Sequence, residues 1–187
     1  MFGGLTSSIV ALGFGLVGVV VLLAVFAFGG IISGNAIALV GAGFAVFLSG
    51  IGSSVGVGVA GEKAAGIVAE DPEKFGRLLL LQAIPGTQGI YGFLAGFLAM
   101  FRMGAFSGGM NLTVDQGWQF FFACLPVAVA GLVSGLYQAR VSVAGMDIVA
   151  KHPEESGKAL ILPAMVETYA VLGLLASVLL LMFAVKV

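Results

Sequence analysis

Apolar residues fall into five long runs, and the charged residues gather between them. The runs cover about residues 5–28, 36–60, 78–101, 118–144 and 159–185. Each is long enough to cross a bilayer as a helix, which takes roughly 20 apolar residues. Polar segments at 61–77, 102–117 and 147–158 separate the later four. Asp71-Pro72-Glu73 reads as a turn followed by a helix start. The pattern predicts an all-α membrane protein. It has four core helices in two hairpins, 36–106 and 107–187, preceded by a hydrophobic helix in 1–35. Residues 1–35 are either a retained helix or a cleaved targeting segment. Met1–Ser8 lacks Lys and Arg, and the run exceeds a usual signal core, both of which favour retention.

Finer patterning inside the runs predicts how the helices pack. Gly52 and Gly56, and Gly50 with Ser54 and Gly58, place small residues along one helical face. Such faces let membrane helices approach closely. Ser134 and Gly135 do the same on the 118–144 helix. No strand precedes these glycines and no Gly-Lys-Ser/Thr follows them, so a phosphate loop is a poor alternative. The third run is broken by Ile84-Pro85-Gly86-Thr87-Gln88. A helix proline removes a hydrogen bond, and loosened backbone at membrane depth is tolerated where it is buried or lines a site. Trp118 opens the fourth run as an interfacial anchor, and Arg140 snorkels towards the near surface.

Composition sharpens this picture. Of 187 residues, 60% are hydrophobic and 9% charged, against roughly 25% charged in soluble domains. The helices must therefore associate by close packing, because lipid is as apolar as leucine. The net charge of −1 and the absence of a basic run argue against nucleic acid as a partner. Cys124 and His152 are each the single residue of their type, which leaves no intrachain disulfide and no transition-metal cluster.

Two features then stand out. The first is a repeat. Asp71-Pro72-Glu73-Lys74-Phe75-Gly76-Arg77 aligns with His152-Pro153-Glu154-Glu155-Ser156-Gly157-Lys158 at an offset of 81. Ser49-Gly50-Ile51-Gly52 and Ser134-Gly135-Leu136-Tyr137 precede these turns, and Gly86 aligns with Glu167. This describes a duplicated hairpin, a parallel repeat whose two polar loops share one side. That side holds most of the Lys and Arg and is expected to be cytoplasmic. The second feature is Glu167, the one charge between Lys158 and Lys186. A carboxylate at mid-bilayer costs about 2.5–3.5 kcal/mol on insertion scales and is functional by default.

Helix rise places Glu167, Gln88 and Gln138 all roughly 14–17 Å in from the polar loops. Ile84, Thr87, Gln88 and Tyr91 share one face by their spacing. A carboxylate, two amide oxygens, a hydroxyl and a backbone carbonyl form an oxygen cage suited to a hard cation. One negative charge suits one monovalent ion, Na⁺ or H⁺. Tyr91 is placed to donate a hydrogen bond to Glu167.

On these residues the chain resembles the membrane rotor proteolipid (the K- or c-subunit) of V-type ATPases. The resemblance spans about 36–185. It rests on Ser49-Gly50-Ile51-Gly52, Pro72-Glu73-Lys74-Phe75-Gly76, Pro85-Gly86-Thr87-Gln88-Gly89 with Tyr91-Gly92-Phe93, and Met165-Val166-Glu167-Thr168-Tyr169-Ala170. The Pro-Gly-Thr-Gln-Gly and Met-Val-Glu-Thr-Tyr-Ala strings are most similar to bacterial Na⁺-translocating members. The resemblance implies a homo-oligomeric rotor ring, with 36–60 and 118–144 lining its interior. It implies Na⁺ ligation by Glu167, Gln88, Gln138, the Thr87 hydroxyl and the Ile84 carbonyl, supported by Tyr91. The implied partners are a stator subunit with an essential arginine, a central-stalk subunit at loops 61–77 and 147–158, and membrane lipid. The implied location is the cell membrane. Nucleotide chemistry would lie in a soluble sector, not in this chain. The alternatives are H⁺ as the coupling ion and a stand-alone secondary transporter built on the same repeat.

Overall fold

The computed structural model describes residues 33–187, and the hydrophobic run within 1–32 lies outside the described residues. Four helices long and apolar enough to cross a membrane make up the described chain. Helix α1 (Gly34–Glu70) is capped by Ser33, whose hydroxyl accepts from the Ala36 amide. It ends at Asp71, which is extended (φ −143°, ψ 91°) as a residue before proline prefers to be. A 3₁₀ turn, Pro72–Lys74, leads into the second span. That span comprises α2 (Phe75–Ala83), a 3₁₀ segment (Ile84–Gly86) and α3 (Thr87–Arg102). Helix α4 (Val114–Lys151) opens on a reciprocal capping box between Thr113 and Gln116. A 3₁₀ turn, Pro153–Glu155, precedes α5 (Ser156–Leu179), which runs into a π turn, Leu180–Ala184.

Helices α1 and α4 are longer than their apolar runs. The polar segments expected at 61–77 and 147–158 are helical to Glu70 and to Lys151, leaving only tight turns around Pro72 and Pro153. Charge does not stop a helix outside the bilayer, and Glu62, Lys63, Ala64 and Ala65 are good helix formers. Only the residue–proline steps end it. At about 1.5 Å per residue, α1 is roughly 55 Å long, well beyond a hydrocarbon core of about 30 Å. The extensions are tied together by the Lys63–Asp147 ion pair (2.6 Å) and by Lys74, which donates to the Ala150 carbonyl (2.8 Å) and pairs with Asp71 (3.0 Å). The Lys74 hydrogen bond holds the Asp71 carboxyl below its ordinary value. Its contribution is therefore present above the usual Asp pKa and fades as pH falls through the lowered one. At the other end the connection is 103–113, shorter than the 102–117 read from sequence. There Asn35 bonds the Met110 carbonyl and the Leu112 amide, and Arg102 donates to the carbonyls of Leu181 and Met182.

The α1–α4 crossing is set by glycine. A Cβ at Gly52 would lie 2.6 Å from the Gly131 carbonyl oxygen, and one at Gly135 2.7 Å from the Gly52 carbonyl carbon. Gly50 and Gly58 do not share this role: a Cβ at either meets nothing within 4 Å in this chain. The single small-residue face expected from the sequence is instead two stripes, one packed inside the bundle and one on its surface. Buried apolar side chains form two clusters. One contains Ala42, Ala95, Phe120, Val127 and Leu181, the other Ala60, Leu78, Leu81, Met146 and Ala159.

The duplication is visible in contacts. A Cβ at Gly92 would strike the Ala45 carbonyl and Ser49, and one at Gly173 would meet the Pro126 carbonyl and the Ala130 side chain. Every member of the second set lies 81 residues beyond its counterpart. At that offset Ser53, not Ser49, is the counterpart of Ser134, so the pairing of the two Ser-Gly strings read from sequence is out of register by four residues. Backbone-to-glycine packing fixes this register, which similarity of short strings does not.

Candidate functional site

The polar groups inside the bundle lie between the two apolar clusters. Pro85 has no amide hydrogen to give the Leu81 carbonyl, and the chain tightens into the 3₁₀ segment Ile84–Gly86 there. Helix α3 restarts at Thr87, and its third residue, Gly89, donates its amide to the Ser53 hydroxyl of α1 at 2.7 Å. This is a helix cap supplied by a neighbouring helix. Helix α5 is helical through the equivalent place, and Ser134, the twin of Ser53, has a buried hydroxyl without a partner.

The restarted helix presents Thr87, Gln88 and Tyr91 to α4 and α5. Tyr91 donates its hydroxyl to Glu167 Oε1 at 2.6 Å, as its spacing predicts. Gln88 and Gln138 are fully buried. Gln88 Nε2 donates to Gln138 Oε1 at 2.5 Å, and Gln138 Nε2 donates to the Pro163 carbonyl at 2.9 Å. Pro163 lies one turn before Glu167 on α5, so the amide pair abuts the Tyr91–Glu167 pair. The Thr87 hydroxyl donates to the Ile84 carbonyl at 3.0 Å, and it also lies beside the Tyr91 hydroxyl. The Ile84 carbonyl is therefore not free: it accepts from both the amide and the hydroxyl of Thr87.

The relay from Gln88 through Gln138 to Pro163 gives the amides one direction. Each NH₂ group points along it, and Gln88 Oε1 is left buried with no donor. An unsatisfied buried acceptor costs about 1–3 kcal/mol. Gln138 Oε1 accepts one bond and retains a second lone pair. Half-buried Glu167 supplies the charge. Among the described residues no three His, Cys, Asp or Glu side chains cluster as a metal site would need. The donors are one carboxylate and several neutral oxygens, which fits a monovalent hard cation.

Sequence reasoning missed the Pro163 carbonyl and the Ser53 cap. A proline inside the apolar run at 163 was the available signal for the first. For the second, one polar residue among glycines carries little information until its partner is known. It also missed Val127, whose carbonyl accepts from Ser49 at 3.0 Å and whose amide donates to Ser177 at 3.0 Å. These bonds join three helices one residue beyond Pro126.

The sequence model of the ATP synthase C-subunit family matches residues 40–99 and again 121–180. The chain belongs to that family. The two matches are 81 residues apart, the offset seen in the contacts. Among its relatives, the V-type sodium ATPase subunit K of Enterococcus hirae is 49% identical over 140 residues, covering 75% of this chain and 86% of that protein. The A-type ATP synthase subunit K of Methanocaldococcus jannaschii is 42% identical over 147 residues, covering 79% of this chain and 62% of that protein. The ATP synthase c-subunit of Clostridium beijerinckii is 45% identical over 65 residues, which is 33% of this chain but 90% of that protein. A relative matched over nearly its whole length by about one hairpin fits duplication of a smaller unit. Membership makes the chain a multi-pass membrane rotor subunit of an ATPase, not itself a catalyst.

Proposed function

We propose that the chain carries Na⁺ across the cell membrane as one protomer of a V-type ATPase rotor ring. The ligands are Glu167, Gln88, Gln138, the Thr87 hydroxyl and the Ile84 carbonyl, with Tyr91 holding the carboxylate. The observation that carries this reading is the buried Gln88 Oε1, which lacks a donor while its own NH₂ is committed to Gln138. A proton on Glu167 would need neither amide, whereas a cation satisfies the orphaned oxygen. For the Ile84 carbonyl and Thr87 to join, the Thr87 hydroxyl turns its proton away and offers a lone pair. The subunit K of E. hirae, named for a sodium ATPase, supports the same ion.

The cycle follows from charge. Facing lipid, Glu167 is neutralised by its ion. At the stator, an arginine pairs with the carboxylate and releases the ion into a half-channel. Rotation then reloads the site from the opposite side. Moving one charge against 100 mV costs about 2.3 kcal/mol, which ATP hydrolysis in a soluble sector supplies through the stalk. The turns around Pro72 and Pro153 face the cytoplasm and take that stalk. Closure of the ring uses head-to-tail contacts, with α1 and α4 inside.

Reaction of Glu167 with a hydrophobic carbodiimide tests the ion. NaCl is expected to slow labelling of the native ring at constant pH and ionic strength. In the Gln88→Leu variant the protection should vanish while labelling persists. Labelling slowed by acid-to-neutral pH changes alone, with no effect of NaCl on the native ring, would assign the site to H⁺.

A further inference from the structure

The surface of the first hairpin carries a groove of about 520 Å³ between α1 and α3, lined by Gly50, Ser53, Val57, Gly86, Gly89 and Phe93 among others. Its place in the repeat identifies it. Val57 and Gly86 are the counterparts, 81 residues earlier, of Gln138 and Glu167, the two side chains the second hairpin gives to the ion site. A Cβ at Gly86 would lie 3.4 Å from Val57 Cγ2, so the two positions stand together across the groove. The groove is the ion site's second-hairpin wall, repeated on the first hairpin without carboxylate or amide.

The other wall is repeated too. The first hairpin gives the ion site Ile84, Thr87, Gln88 and Tyr91. Their counterparts on α5 are Met165, Thr168, Tyr169 and Leu172. Gln88 is fully buried, whereas Met165, Tyr169 and Leu172 are 63%, 68% and 59% exposed. One chain therefore displays, on opposite hairpins, both unpaired halves of a second copy of its own hairpin–hairpin interface. Continuing the internal packing from chain to chain joins these halves.

Side-chain size changes in a compensating way across this join. Where the internal interface has Gln88 against Gln138 and Glu167, the repeated one has Tyr169 against Val57 and Gly86. The larger ring on one wall meets the smaller residues on the other. Gly50 lies in the same groove and has open space where a Cβ would be. We propose that Tyr169 of one copy inserts into the glycine groove of the next, sealing an ion-free twin of the ion site at every boundary between copies. The proposal rests on the ring reading above and adds the register in which copies meet.

Cross-linking of the whole chain in membranes tests it. Gln88 and Gln138 bond through the ends of their side chains, so their twins are bridged by a short bismaleimide rather than a disulfide. With Cys124 replaced by Ala, the double variant Val57→Cys/Tyr169→Cys should give a ladder of multimers on a denaturing gel, and each single variant only monomer. In parallel, Tyr169→Ala should release monomers from the detergent-solubilised ring more readily than Tyr169→Phe, which keeps the ring-shaped side chain. An intact ring with no ladder and no difference between Ala and Phe overturns the register and leaves the rotor reading standing. A particle of one chain by mass, in the native protein, overturns both.

Discussion

Glu167→Gln is expected to reduce ATP-driven ion transport, in vesicles containing the complete ATPase, to the level of vesicles without it. The variant should still assemble. Glutamine has nearly the shape of glutamate, and its side-chain oxygen still accepts from the Tyr91 hydroxyl, which bonds Glu167 at 2.6 Å. What is lost is the one charge in the site. The remaining donors are neutral amide, hydroxyl and carbonyl oxygens, and a cation held only by these is left uncompensated in lipid. In the proposed cycle the variant would also give a stator arginine no partner, so the release step would fail along with loading. Ion uptake and ring mass measured on the same preparation separate loss of transport from loss of assembly. Transport retained by the assembled variant would remove Glu167 from the pathway.

Gly52→Leu should prevent formation of the four-helix core. The added Cβ alone would sit 2.6 Å from the Gly131 carbonyl oxygen and 2.8 Å from Leu132 Cα. Both are backbone atoms of α4, so no side chain can swing away and the helices themselves must separate. Overpacking a core with room to adjust costs about 1–3 kcal/mol; here the cost should exceed that range. Separation would also break the contacts around Ser49, which bonds the Val127 carbonyl at the same crossing. Gly66→Ala is the control, since a Cβ there meets nothing within 4 Å. Alanine in a helix interior is favoured over glycine by roughly 0.5–1 kcal/mol, so this variant should melt no lower than the native chain. Circular dichroism melts in detergent, with size-exclusion profiles, compare the two. A Gly52→Leu protein that melts with the native chain would show that the α1–α4 crossing is not held by this contact.

Some of the architecture is legible because its cause is local. An apolar run of bilayer length is a helix whatever surrounds it, since every backbone group in lipid must be satisfied within its segment. Proline acts through its own ring and missing amide hydrogen, so the break at Pro85 and the turn at Asp71-Pro72-Glu73 are legible. The lengths of α1 and α4 were underestimated because hydropathy marks the edge of the bilayer, not the end of the helix. Helical spacing puts Tyr91 on the face of Thr87 and Gln88, within reach of Glu167, and the Tyr91–Glu167 hydrogen bond is in the structure.

Other features depend on two segments meeting. Gly50 and Gly52 look alike in sequence, yet only Gly52 touches α4. The rotation of α1 about its own axis decides which stripe faces inward, and packing against α4 sets that rotation. Ser53 and Ser134 are twins, but only Ser53 finds a donor, because Pro85 breaks the helix it faces and α5 is helical at the equivalent place.

From the sequence alone come the membrane class, four core spans, the duplicated hairpin at an offset of 81 and a carboxylate at mid-depth with amides at matching height. Each follows from residue type and spacing along one chain. The tertiary structure decided the direction of the Gln88–Gln138–Pro163 relay and hence which oxygen is left without a donor. It also separated the packed glycine stripe from the exposed one. The reason is that hydrogen-bond direction and helix rotation are properties of pairs of elements. Spacing along either one carries no record of them.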